Sequence, residues 1–149
     1  MSNTANSIIS PQAAFLKHCD MAAVTACTTR GPTATANLAA ANIVIGLAGN
    51  GSADQKVSKI AIKADSTAFT SASVVAVYGI WHWDGTTAYL IDEIVTTVVT
   101  PSTTVVSFYG ENVYDDLVIP ATHALYFSVS ITTAANTTAT VVSIHGASM

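Results

Sequence analysis

The stretch Ser71–Val99 limits what this chain can become. Asp84-Gly85 stands between two apolar runs, Val74 to Trp83 and Thr86 to Val95. A two-residue hairpin turn needs positive φ at its centre, and Asp-Gly is a favoured solution. With Asp84 and Gly85 as the central pair, Trp83 opposes Thr86, Trp81 opposes Ala88, Ile80 opposes Tyr89 and Tyr78 opposes Ile91. One face then carries Val75, Val77, Trp81, Trp83, Ala88 and Leu90. The other carries Val74, Tyr78, Ile80, Tyr89 and Ile91. A half-buried antiparallel pair is polar on one side. This one is apolar on both, so it belongs centrally in a sandwich and is covered again by a loop, an arm or another subunit.

Turn chemistry divides the remaining chain into short strands. Met21–Thr29 reads as a strand stopped by Gly31-Pro32, and 33–42 as a loop. Ile43–Leu47 is a short strand before the turn Gly49-Asn50-Gly51-Ser52. Lys56–Ala64 alternates, with Ile60, Ile62 and Ala64 opposite Lys59 and Lys63. Val57 is out of phase. The lysines suggest a strand near an edge. After the hairpin, whose second arm extends to Val99, come strands at Thr103–Tyr109, closed by Gly110-Glu111-Asn112, and at Asp116–Pro120. His123–Thr132 points Leu125, Phe127, Val129 and Ile131 inward. Ala134-Ala135-Asn136 turns the chain into a last strand, Thr138–His145. Eight or nine short strands without a long helix predict an all-β, antiparallel β-sandwich. A jelly roll of about eight strands is favoured over an immunoglobulin-like sandwich, whose Cys, Trp and Tyr spacings are absent.

Residues 1–20 read as an extended N-terminal arm, with a short helical turn after Pro11. Residues 21–149 then form one sandwich domain, as expected for 149 residues. Ile8, Ile9, Phe15 and Leu16 on the arm require a surface to bury against, in this chain or in a neighbouring subunit. The N-terminus lacks a basic region followed by an apolar core, so no secretory signal is expected. Cys19 and Cys27 read as small buried hydrophobes in a reducing compartment.

Composition narrows the function. Hydrophobic residues make up 50% and charged residues 9%, with formal net charge −4. Ordinary domains carry about 25% charged residues. A surface of Ser, Thr, Asn and Ala resists self-association poorly and suits a protein packed among copies of itself. Five Lys and Arg side chains are too few for a nucleic-acid footprint. No run of about 18 apolar residues marks a membrane helix.

No constellation for catalysis stands out, and neither cofactor nor metal is expected. His18, Cys19 and Cys27 lack the paired spacing of a structural zinc site. Metal-binding jelly-roll enzymes place His-x-His on one strand, whereas His82 is flanked by Trp81 and Trp83, and His123 and His145 lie far along the chain. Asp92 and Glu93 are adjacent on a strand and point to opposite faces, so they form no dyad. Asp115-Asp116 after Tyr114 has the chemistry of a Ca²⁺ loop without the multi-ligand loop such a site needs. Gly-x-Ser-x-Gly, Gly-x-Gly-x-x-Gly and Walker-type loops are missing. Trp81, Trp83, Tyr78 and Tyr89 gather at the hairpin end. Such a cluster stacks sugars, forms a protein-contact hot spot, or packs in the domain's own core.

The run Val77–Ile94, the segment Asp116-Leu117-Val118-Ile119-Pro120-Ala121 and the segment Leu125–Ser130 resemble small structural proteins of tailed bacteriophages: capsid cement or decoration proteins with a jelly-roll body. The resemblance covers the C-terminal half. It implies a virion protein, made in the host cytoplasm, that sits on the outer capsid surface as a homodimer or homotrimer and bridges neighbouring major capsid proteins. Ile8, Ile9, Phe15, Leu16, Trp81, Trp83 and Tyr89 are then the candidate interaction residues. A phage fibre or receptor-binding tip, or a carbohydrate-binding β-sandwich, is the alternative.

Overall fold

The computed structural model describes residues 13–21, 27, 43–49, 51–64, 75–106, 108–131 and 140–149. Among them are eight strands: β1 (Ala14–Asp20), β2 (Ile43–Leu47), β3 (Gln55–Ala64), β4 (Ala76–Trp83), β5 (Ala88–Val95), β6 (Tyr109–Ile119), β7 (Ala124–Ile131) and β8 (Thr140–Ser148). They form two four-stranded antiparallel sheets, ordered β1-β8-β3-β6 and β2-β7-β4-β5. The protein is an all-β, antiparallel sandwich. Its first strand pairs with its last, the second with the seventh, the third with the sixth, and the fourth with the fifth.

Alternation fills the space between the sheets. Ile60, Ile62, Val142 and Ile144 from one sheet meet Leu47, Tyr78, Ile80, Leu125 and Phe127 from the other, all fully buried. Each such side chain contributes about 1.5–3 kcal/mol of gross transfer free energy. Val57 is as buried as Ile60, three residues on, although strict alternation forbids it. A bulge resolves the conflict: between Val57 and Lys59, β3 advances two residues while β8 advances one, from Gly146 to His145. Ser58 is the extra residue, and it returns the phase to the core.

The hairpin departs from the expected register. Its central residues are Gly85 and Thr86, not Asp84 and Gly85, so Trp83 opposes Ala88 and Trp81 opposes Leu90. Asp84 is held at the flank because its Oδ1 accepts the backbone N–H of Thr86 (2.8 Å) and of Thr87 (2.7 Å). Gly85, at φ +101°, takes the left-handed first position. A second irregularity at Ile91 makes Ile80 oppose Asp92, so Ile94 rather than Ile91 reaches the core opposite Tyr78. As expected, β4 lies inside its sheet and is buried on both faces through Trp81; β5, however, is an edge strand and ends at Val95 rather than Val99.

Three further expectations change. β3 is an interior strand between β8 and β6. Two of its lysines pair with acids on β6, Lys56 with Asp116 and Lys59 with Glu111, each at 3.3 Å, instead of guarding an edge. The strand expected at 103–109 is instead a bend at 103–105, closed by Ser102 N–H on the Val105 carbonyl. The strand expected at 116–120 is the end of one long strand, β6, that starts at Tyr109. Its presumed break, Gly110-Glu111-Asn112, stays extended because Gly110 admits the Ile94 side chain and Asn112 bonds across to β5. Ala14–Asp20 is the edge strand β1 on β8, and not part of a free arm. The helical turn expected at Pro11, most of the strand 21–29, the loop 33–42 and the turn 134–136 lie outside the described residues.

Candidate interaction surfaces

The connections β2–β3, β4–β5 and β6–β7 meet at one end of the sandwich. Gly51 N–H donates to the Ala121 carbonyl, and Ala121 N–H donates to Asp54 Oδ1, both at 2.9 Å. The tight turn 120–123, closed by His123 N–H on the Pro120 carbonyl, sets His123 beside the end of β4. There His82 Nε2 and His123 Nδ1 lie 2.8 Å apart. Beside them the Trp83 and Tyr126 rings stack, with centroids 5.7 Å apart at 19°. Tyr89, opposite His82, is half exposed.

Electrostatics at this end follow from the hydrogen bonds. The Thr87 and Thr86 amides hold the Asp84 carboxyl down to about 2, so it is anionic throughout the ordinary pH range. Burial, then the neighbouring His123, lower the pKa of His82, while Asp84 opposes them.

A second surface runs along the margin where edge strands β5 and β6 meet. Asp92 fastens it: Oδ2 accepts from Asn112 Nδ2 and from the Tyr114 hydroxyl, both at 2.7 Å. Burial and the Asp92 charge raise the Tyr114 phenol pKa. Outside this clasp the margin exposes Glu93 and Glu111 together with a run of large apolar side chains. Of the thirteen large hydrophobic residues exposed among the described residues, eight lie between positions 89 and 113: Tyr89, Ile91, Val95, Val98, Val105, Val106, Tyr109 and Val113. Val106 is 84% exposed and Val113 69%. The chain has no Lys or Arg after Lys63, so the formal charges carried by β5, β6 and their connection are all acidic, with Lys56 and Lys59 of β3 pairing with Asp116 and Glu111.

The candidate interaction residues separate. Ile8 and Ile9 lie outside the described residues. Phe15 packs against the domain's own core and over Gly146, so it needs no neighbouring subunit. Leu16, on the opposite face of β1, is exposed. Trp81, 3% exposed, is packed within the domain and donates from Nε1 to Ser128 Oγ. Trp83 and Tyr89 remain accessible at the loop end. Sequence reading missed the β5–β6 margin, because two edge strands on one side became visible only once the strand order was known. It also missed the contact between His82 and His123, 41 residues apart.

Groups weighed for chemistry disperse. His145 sits in the other sheet, opposite Leu16 and Lys59, away from His82 and His123. His18 Nδ1 contacts Ser143 Oγ at 2.9 Å in that same sheet. Burial, then Asp20, push the Cys19 thiol up to about 12, and burial raises Cys27. Neither thiol is an activated nucleophile. Asp92 and Glu93 divide as their adjacency requires, Asp92 into the clasp and Glu93 toward solvent. No helix among the described residues is long and apolar enough to cross a membrane.

Comparison with protein-family models, with curated proteins and with solved structures gives no match to this chain.

Proposed function

We propose that this chain is a structural virion protein, a decoration protein that binds the outer surface of an icosahedral phage head. In this reading it self-associates and bridges neighbouring major capsid proteins. The observation that carries the proposal is the exposed apolar strip on the β5–β6 margin. The two edge strands and the connection between them expose a run of valines and tyrosines, a surface that isolated proteins usually blunt with lysines or cover. Here Val95, Val106, Tyr109 and Val113 stand open on it.

Strand order supports the same reading. Pairing first with last, second with seventh, third with sixth and fourth with fifth is what one long antiparallel ribbon gives when rolled into two sheets. We read it as a jelly roll, an architecture used in viral capsids. The resemblance of Val77–Ile94 and Asp116–Ala121 to phage decoration proteins points the same way.

The mechanism is burial at seams. A standard interface of about 1,600 Å², somewhat over half apolar, yields about 20 kcal/mol of gross stabilisation. Lost rotational and translational freedom offsets much of it, and repetition over a shell multiplies the remainder. The test is the copy number of this chain in purified particles from its source, measured by quantitative mass spectrometry. A decoration role requires a multiple of sixty. Absence from intact particles contradicts it.

The loop end favours a second reading, a carbohydrate-binding tip. Trp83 stacked on Tyr126, with Tyr89 exposed nearby, is an aromatic platform of the kind sugars stack on. Glycan-array binding that disappears in Trp83→Ala supports this reading over the first.

A further inference from the structure

We propose that His82 and His123 form a two-point chelate for a divalent first-row transition ion at the loop end of the sandwich. The argument is independent of any role in assembly. His82 Nε2 and His123 Nδ1 face one another at 2.8 Å, with ring centroids 4.9 Å apart and planes tilted by 39°. Two imidazole nitrogens sharing one ion at about 2.0–2.1 Å in tetrahedral geometry lie about 3.3 Å apart. The required opening is therefore about half an ångström. His82 is fixed on β4, while His123 ends the 120–123 turn, so the turn is the element that adjusts.

Proton bookkeeping is consistent. In the neutral pair one ring nitrogen carries a hydrogen and the other accepts it. Chelation needs a lone pair on both. Whichever ring now donates moves that proton to its other nitrogen, so His82 keeps Nδ1–H and His123 keeps Nε2–H. Two neutral imidazoles then face the ion with no net proton release, and water fills the remaining positions. Borderline ions such as Zn²⁺, Ni²⁺ and Cu²⁺ suit imidazole. Local charge favours a cation. Asp84 stays anionic at the adjoining turn and interacts electrostatically with His123. Neither the β4–β5 turn nor the 120–123 turn contains Lys or Arg.

The test is calorimetric titration of Zn²⁺ into the full chain near neutral pH. The expected result is one equivalent bound. Loss of even an outer partner weakens metal sites about 10–100-fold, so His123→Ala and His82→Gln should each weaken this one at least tenfold. His145→Gln, in the other sheet, should leave it unchanged. No binding by the wild type, or binding lost in His145→Gln and retained in His123→Ala, overturns the proposal. The Cu²⁺ electron paramagnetic resonance spectrum of the wild type gives a readout that does not depend on any variant folding. Hyperfine coupling to two imidazole nitrogens is expected, and coupling to one or none overturns the chelate.

Discussion

Trp81 and Ser128 are joined across β4 and β7 by a 2.8 Å hydrogen bond from the indole Nε1 to the hydroxyl, and the pair lies over Gly79. A Cβ at position 79 would stand 2.8 Å from Nε1 and 2.9 Å from Ser128 Oγ. At Gly79 the outer face of the sheet is therefore closely packed. Gly79→Ala should overpack this site at a cost of about 1–3 kcal/mol, a fall in Tm of roughly 2–10 °C by thermal melting. An unchanged Tm means that the indole does not lie there.

The bulge at Ser58 supplies a second test. Val57 and Ile60 are both fully buried only because Ser58 is an extra residue relative to β8. Deleting Ser58 should turn Val57 toward solvent, cost about 3 kcal/mol or more, and yield aggregated protein. Ser58→Ala should stay within about 1 kcal/mol, since it removes only an exposed hydroxyl donating to the His145 carbonyl at 3.2 Å. Urea melts of the two variants separate register from side-chain chemistry. Equal stability of both contradicts the bulge.

Much of this was legible in the residues. Alternation at Ile60, Ile62, Leu125 and Phe127 identified the inward faces, because period two is a local property of a strand. What failed depends on contacts distant in sequence. Gly110-Glu111-Asn112 carries turn chemistry, yet Gly110 serves to admit Ile94 and Asn112 to reach Asp92. Lys59 and Lys63 suggested an edge, but Lys59 meets Glu111 across an interior pairing. The Asp-Gly turn was placed one residue early because the capping by the Asp84 carboxylate is not visible as periodicity. The candidate surface was legible at Trp83 and Tyr89. Its apolar margin was not, since it exists only where β5 and β6 lie side by side.

The clasp at Asp92 has a spectroscopic signature. Burial and the carboxylate both raise the Tyr114 phenol pKa. Alkaline titration followed by ultraviolet absorbance should show Tyr114 among the late-ionising tyrosines, with buried Tyr78 and with Tyr109, whose pKa values are also raised. Asp92→Asn should bring the Tyr114 transition down and cost about 1–3 kcal/mol of stability, because the Tyr114 and Asn112 donors lose a charged acceptor. Ionisation of Tyr114 at the same pH in the wild type and in Asp92→Asn contradicts the clasp.

His82 should make the fold acid-sensitive. Burial and His123 lower its folded pKa against a smaller opposing effect of Asp84, so folding favours the neutral ring. The associated stability is present above the ordinary imidazole value of about 6.5. It is lost as pH falls through the lower folded value. The Tm of the wild type should drop between about pH 7 and pH 5 more than that of His82→Gln. Parallel curves for the two proteins contradict the shift.

The most direct measurement is the solution mass of the full chain by light scattering, alongside the double variant Val106→Asp and Val113→Asp. Both valines are exposed, so the substitutions leave the core intact. If the β5–β6 margin is an assembly surface, the wild type is a closed dimer or trimer and the double variant a folded monomer. A monomeric wild type, or an oligomer indifferent to both charges, contradicts it.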